Sequence, residues 1–196
     1  MEYPVYYLEL EEGQMKYGLQ DIALVDDPAI KSNFMKWSAQ VALSKDALFN
    51  FSVQNEEQRI ITGAVMIPNK LIYREENKKP FYVVATKDTI FDAAQKWGKE
   101  NRNNNIKLSH DAKDTTPDVF MFESFVTDEN RVSSVKGFES LPLGTWFITC
   151  KVLSDQVWSD IKSGVFNGFS LEALFKMQPA AMLNDEEIQA LTKIVE

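Results

Sequence analysis

The sequence has very few of the residues that build disulfides and metal sites. It holds one cysteine and one histidine among 196 residues. One cysteine cannot form an internal disulfide, and these two residues cannot supply the four ligands of a structural zinc site. No apolar run approaches the roughly 20 residues of a membrane span, and the first residues lack the basic and apolar regions of a signal peptide. We therefore expect a reducing, cytosolic setting, no contact with a membrane and no cofactor.

Positive charge is also scarce. The chain carries 21 basic and 29 acidic residues, a formal net charge of −8. The basic residues are interleaved with glutamates, as between Arg74 and Lys79, so they form no basic patch. Because an acidic field repels phosphate backbones, we predict no nucleic-acid partner. The hydrophobic content of 44%, with only 8 glycines and 7 prolines, suits a folded domain rather than a disordered or fibrous chain.

Segments with the apolar or alternating pattern of β-strands recur along the chain. They cover residues 3–10, 60–67, 71–74, 81–85, 119–126, 145–152 and 166–175. Helical periodicity indicates helices near residues 27–37, 88–100, 154–163 and 184–195, and capping residues support all of them except 88–100. This mixture predicts the α+β class, as a small closed β-barrel of about six or seven mostly antiparallel strands flanked by helices.

A polar connection before residue 60 suggests how the chain is divided. We expect residues 1–55 to contribute an N-terminal strand and helix that pack on the core or lead into it. Residues 56–176 would form the core, and residues 177–196 a C-terminal amphipathic tail helix. In that tail, Asn184 and Glu187 have the spacing of a capping box. The length fits one domain with a short appendage.

Two clusters of reactive side chains favour a structural interpretation. His110, Asp111, Asp114 and Asp118 crowd together and could hold a divalent cation, but their spacing matches no established ligand pattern. An aspartate-rich loop is usually a solvated loop, so we predict no metal site. Cys150 lies within a predicted strand, where a cysteine is normally a small buried hydrophobe of low reactivity.

Ser170 and His110 form a third candidate pair. A serine becomes a nucleophile only when a base removes its proton, and imidazole suits that role near neutral pH. Any serine hydrolase in this chain must therefore use His110. Strand alternation places Phe169 and Ser170 on opposite faces, with Gly168 allowing a close backbone approach. From this pattern alone, a structural serine remains the ordinary alternative, and the segment is not the nucleophile elbow of α/β-hydrolases.

Several short motifs, taken in order, give the sequence a family resemblance. They are Ile22–Ile30, Gly63–Arg74, Ser109–Asp111, Phe122–Ser124, Gly144–Trp146, Val157–Trp158, Lys162–Gly164 and Gly168–Ser170. Together they resemble the prohead (capsid maturation) protease family of tailed bacteriophages, in its serine-protease branch. Each motif alone is loose, whereas the ordered set covers most of the chain. The resemblance implies a herpesvirus-protease-like fold.

The resemblance also implies the roles of individual residues. Ser170 would be the nucleophile and His110 the base. Glu123 would be the third catalytic residue, because a lone carboxylate in an apolar strand needs a partner such as a protonated imidazole. The alternative for Glu123 is a half-exposed charge at the edge of a sheet. Glu172 is the second choice for that role, and Asp111 is expected to be a turn residue. The sequence departs from the herpesvirus pattern in having no arginine after Ser170, which leaves the oxyanion donors unplaced.

The function implied by the resemblance is a serine endopeptidase of capsid maturation. Its protein substrates would be the scaffolding protein and the major capsid protein precursor, and it would also cleave itself. It would act in the host cytoplasm, inside the assembling prohead, with self-association left open. One alternative is a catalytically inactive virion protein that keeps the fold as a structural or binding module. Another is an unrelated metal-dependent enzyme, which would be sensitive to chelators.

Overall fold

The computed structural model describes residues 2–10, 18–25, 35–37, 58–76, 78–109, 113, 115–131 and 138–193. The strands are β1 (Glu2–Glu9), β2 (Gly18–Val25), β3 (Met35–Trp37), β4 (Ile60–Met66), β5 (Ile72–Glu76), β6 (Lys79–Val84), β7 (Ile106–Lys107), β8 (Val119–Val126), β9 (Trp146–Val152), β10 (Gly168–Leu174) and β11 (Lys176–Asn184). The α-helices are α1 (Lys87–Lys99), α2 (Asp155–Ser163) and α3 (Asp185–Lys193), and a 3₁₀ turn covers Arg102–Asn104.

The described strands form three hydrogen-bonded sheets. The first has the order β11-β1-β6-β5, the second β10-β2-β7 and the third β3-β4-β9-β8. Every pairing is antiparallel except β1 with β6 and β2 with β7. The α+β class and the mostly antiparallel pairing are therefore as predicted.

The predicted single barrel differs from the observed arrangement. β10 lies beside β4, and β7 lies beside β8, but among the described residues no ladder of hydrogen bonds joins these strands. The described part of the chain has eleven strands in three sheets and no closed barrel, so the predicted closure and the count of six or seven strands are wrong. β2, β4, β8 and β11 each have one residue left unpaired at a register shift. Such bulges bend a strand and interrupt its ladder of hydrogen bonds locally.

Two segments of the chain form strands where helices were expected. Residues 35–37 form β3, antiparallel to β4, although the sequence predicted a helix there. The rest of that predicted helix, residues 27–34, lies outside the described residues. Residues 177–184 belong to β11 and pair with β1, so the tail is a helix only from Asp185. Pro179 is tolerated in β11 because this strand is at the edge of its sheet.

The capping residues predicted for α2 and α3 are confirmed, and α1 has a capping residue that was not predicted from the sequence. Thr86 and Ser154 accept hydrogen bonds from the first turns of α1 and α2. The Asn184 side chain accepts from the backbone N–H of Glu187, whose carboxylate accepts in turn from the backbone N–H of Asn184. This reciprocal pair is the predicted capping box. The predicted apolar face of α1 is narrower than expected, because Phe91 is 54% exposed.

The main hydrophobic core lies between the sheets and the inner faces of α1 and α2. Its largest buried side chains are Trp97, Trp146, Trp158 and Phe169. A smaller cluster around Phe147 covers the other face of β4 and β9. These two strands are therefore apolar on both faces, and they fix the position of their neighbours. No helix in the described residues combines the length and apolarity needed to cross a membrane.

Candidate functional site

Ser170 lies on β10, and pairing with β2 sets its orientation. Its register partner is Ala23, and the two flanking residues are paired in the same ladder. Phe169 is fully buried in the main core. Because successive side chains of a strand point to opposite faces, Ser170 faces away from that core. Only 5% of Ser170 is exposed, so its hydroxyl is in a sheltered environment.

Ser170 is part of the wall of an apolar pocket with a volume of about 250 Å³. The pocket lies where the three sheets meet, with walls from β1, β5, β6 and β11, from β4 and from β10. Nearly all of its lining residues are apolar, and Phe81, Val83 and Leu171 are examples. The two polar lining residues are Ser170 and Arg74. The pocket could therefore hold an apolar side chain next to a serine hydroxyl.

Two of the motifs that carry the family resemblance meet in this pocket. The segment Gly63–Arg74 contributes Ile67 and Ile72 as well as Arg74, and Gly168–Ser170 contributes the serine. A turn at Pro68 and Asn69 separates the two strands of the first motif, with the Asn69 backbone N–H donating to the carbonyl of Ala85. The fold thus brings segments far apart in sequence to one wall around Ser170.

A cluster of three charged residues lies on the same face of the second sheet as Ser170. Lys107 Nζ is 3.0 Å from Asp21 Oδ2 and 3.3 Å from Glu172 Oε2. These side chains are 14–17% exposed, so the cluster is partly shielded from water. The hydrogen bond with Asp21 raises the pKa of Lys107, burial opposes it, and the bond with Glu172 adds to the increase. Lys107 is therefore a charged anchor at neutral pH and not a base for Ser170.

The predicted base lies outside the described residues. This holds for His110 and also for Asp111 and Asp114, so the interpretation of the aspartate-rich loop remains a prediction. Ser109, the residue before His110, has a backbone φ of 116°. Such a conformation is unusual for a residue other than glycine, and strained backbone of this kind clusters at functional sites. Within the described part of the chain, no group of three metal-binding side chains comes together.

The two candidate carboxylates lie in different environments. Glu123 is exposed on β8, opposite Thr149 and next to a register shift. This exposure agrees with the alternative of an edge charge and not with a buried carboxylate, while the catalytic role of Glu123 remains a prediction. Glu172 lies two residues after Ser170 on the same face and bonds Lys107. The structure thus brings Glu172, but not Glu123, onto the strand face of the serine.

Sequence reasoning missed Arg74, Lys107 and Asp21 as residues of the site. Each is a charged residue in or beside an apolar strand, which is the signal that could have singled them out. Cys150 is as predicted: it is a free, fully buried thiol. Burial raises the pKa of the Cys150 thiol well above its ordinary value. This residue therefore does not act as a nucleophile near neutral pH.

Comparison with known proteins gives one result at the level of the family. Neither the curated proteins nor the solved structures contain a match. A family model matches residues 49–178, more than half of the chain, and this stretch includes Arg74, Lys107, His110 and Ser170. The match confirms the predicted relationship to phage proteases. The chain belongs to the family described as "Putative phage serine protease XkdF".

Proposed function

We propose that the protein is a phage prohead maturation protease. In this proposal it is a serine endopeptidase that cleaves scaffolding and capsid precursor proteins, and itself, inside the assembling prohead in the host cytoplasm. The observation that carries the proposal is Ser170, a sheltered hydroxyl at the wall of an apolar pocket, within the region of the family match. Scaffold and capsid precursors follow from the family resemblance rather than from the geometry.

The chemistry assigned to the site is acyl transfer. The His110 imidazole takes the proton of Ser170 Oγ while this oxygen attacks the carbonyl carbon of the scissile peptide bond. The same proton then passes to the leaving amine nitrogen as the carbon–nitrogen bond breaks. Water hydrolyses the resulting ester with His110 again acting as the base, which releases the new carboxylic acid and restores the Ser170 hydroxyl. Because the base must be neutral, kcat/KM should rise with pH as the imidazole loses its proton.

Strand pairing supports the meeting of His110 with Ser170. β7 and β10 lie on the two sides of β2, and Lys107 and Ser170 share Ala23 as their register partner. Since adjacent strands are about 4.8 Å apart, these two backbones are separated by about 10 Å. His110 follows Lys107 by three residues, and three residues span at most about 11 Å. The chain is therefore long enough to bring the imidazole to the Ser170 hydroxyl.

The carboxylate that orients the imidazole is assigned by comparing two variants. Glu172 shares the face of Ser170, whereas Glu123 is supported by the family resemblance alone. Loss of the orienting carboxylate should lower kcat much more than it changes KM, because the imidazole loses its position but substrate still binds. Glu123→Gln and Glu172→Gln, measured in parallel over a pH series, identify which carboxylate acts.

The test of the proposal is co-expression of the chain with the scaffolding and capsid proteins of the same phage. Wild type should yield cleaved scaffold, whereas Ser170→Ala and His110→Ala should yield intact scaffold, with rates lower by about a thousandfold or more. Ser159→Ala is the matched control, because Ser159 is an exposed serine of α2. A fluorophosphonate probe should label the wild type and the control but not Ser170→Ala. Unchanged cleavage by Ser170→Ala removes Ser170 from the mechanism.

A second candidate function is a catalytically inactive virion protein with the same fold. It predicts that neither cleavage nor probe labelling occurs, while association with scaffold or capsid protein persists. The herpesvirus-protease-like arrangement is part of our proposal. It is supported by β10 lying beside β4, and β7 beside β8, around a common core, although no solved structure matches.

A further inference from the structure

Arg74 is a cation in a wall that is otherwise apolar apart from Ser170. It lies on β5, and its register partner on β6 is Phe81, which also lines the pocket. Ile72, two residues earlier on the same strand face, lines the pocket as well. Strand alternation therefore places Arg74 on the pocket side of the first sheet.

Within the described residues, Arg74 forms no ion pair. Its guanidinium donates one hydrogen bond, 3.0 Å long, to the backbone carbonyl of the neighbouring Tyr73. Glu76 faces the same side of β5, but it is exposed and lies opposite Lys79. Arg74 is exposed as a whole residue, and partial burial lowers the pKa of its guanidinium. A guanidinium remains charged at neutral pH, so the pocket keeps donors that a carboxylate would satisfy.

We infer that the pocket selects peptide segments that combine a large apolar side chain with a nearby Asp or Glu, which pairs with Arg74. This inference rests on the proposed function and names its substrate class. The apolar side chain would fill the space beside Ser170, and the carboxylate would bind the guanidinium. An acidic segment is the occupant that would give the Arg74 cation an ion-pair partner at the pocket.

The size of the pocket sets the spacing of the two groups. A cavity of about 150 Å³ is enough to hold a benzene ring, so a volume of about 250 Å³ admits a leucine or phenylalanine side chain with room to spare. Such a volume is roughly 8 Å across, and two residues of an extended chain span about 6.8 Å. The acidic residue therefore lies within two positions of the apolar one.

The experiment uses synthetic peptides with a central leucine and with Glu, Gln or Lys placed in turn at each of the two positions on either side. The full chain should cleave the best Glu peptide with a kcat/KM roughly tenfold or more above that of its Gln counterpart, as expected for a charge-assisted hydrogen bond. Arg74→Gln should remove this preference, and Arg74→Glu should reverse it toward Lys. Lys99→Glu is the matched control, because it makes the same change of charge on the exposed end of α1.

Binding of the same peptides to Ser170→Ala, followed by fluorescence anisotropy, separates this inference from the proposed function. If Ser170-dependent cleavage is indifferent to the charge of the peptide, the inference fails and the protease stands. If Arg74 variants slow the cleavage of every peptide equally, Arg74 acts on the reaction rather than on selection, and the inference again fails. If no peptide is cleaved but Glu peptides bind better and Arg74→Glu reverses that order, the inference holds and the proposed function fails. Equal binding of all peptides overturns the inference.

Discussion

The orientation of β10 can be tested by deleting the ring that precedes the candidate nucleophile. Phe169 is fully buried, whereas Phe122 on β8 is 48% exposed. Phe169→Ala and Phe122→Ala therefore make the same chemical change in a buried and in a half-exposed strand position. A strand shifted by one residue would exchange the faces of Phe169 and Ser170. The stability of Phe169→Ala thus reports on the register that buries Phe169 and places Ser170 on the opposite face of β10.

The two substitutions should differ by several-fold in their effect on the free energy of unfolding. Deleting a buried phenylalanine ring usually costs about 3–5 kcal/mol, because the lost transfer free energy is joined by the cost of a cavity. Phe169 also borders the pocket, so the new space is open on one side, and we expect a loss near 3 kcal/mol. Phe122 buries only about half of its side chain and leaves no cavity, which gives about 1 kcal/mol.

The assay is urea denaturation of both variants and of the wild type, followed by tryptophan fluorescence. Because small domains are stabilised by only about 5–15 kcal/mol, Phe169→Ala should shift the midpoint strongly while its slope stays close to that of the wild type. The argument is refuted if the two variants lose similar stability. It is also refuted if Phe169→Ala costs less than Phe122→Ala, since Phe169 would then lie on the outer face.

Two further predictions concern buried polar groups away from the pocket. The Thr62 and Thr149 hydroxyls are buried and 3.1 Å apart, so Thr62→Val should lower the free energy of unfolding by about 1–3 kcal/mol, because it leaves the Thr149 hydroxyl unpaired. The double variant Thr62→Val with Thr149→Val should approach wild-type stability. Additive losses in a cycle of denaturation measurements would contradict this. Because burial raises the pKa of the Cys150 thiol, a disulfide reagent should modify it only in denaturant, and raising the pH to about 9 should not change this. The control is Ser159→Cys on a Cys150→Ala background, whose exposed thiol should react rapidly in the native protein. Equally rapid modification of native wild type would show that Cys150 is accessible.

Local signals in the sequence were sufficient for elements whose pattern and caps agree. β8 has the predicted bounds, α1 lies where its helical periodicity predicts it, and α2 begins after the predicted capping residue Ser154. β11 was missed because Pro179 and its neighbouring alanines lack the alternation of a strand, and pairing with β1 overrides that weak local preference. Closure into a barrel could not be judged, because bulges and edge pairing depend on strands distant in sequence.

The candidate site shows the same division between local and non-local information. The face of Ser170 was predictable, since alternation within one strand decides it. The apolar neighbours of Glu123 left a buried carboxylate and an exposed edge charge both open, and the place of its strand at the edge of a sheet leaves it exposed. Arg74 was not predictable as a pocket residue, because its place beside Ser170 follows from the packing of the first sheet against β10. Composition holds no information about that packing.

The charged cluster beside the site explains how β7, a strand of two residues, can hold a fixed register on β2. A slip of one residue in β7 would turn Lys107 to the opposite face, away from both Asp21 and Glu172. Two partly shielded carboxylates would then face each other without a cation, which is unfavourable. The native register is thus favoured by charge where backbone hydrogen bonds are few. The ion pair between Lys107 and Glu172 also joins β7 to β10, the strand that carries Ser170.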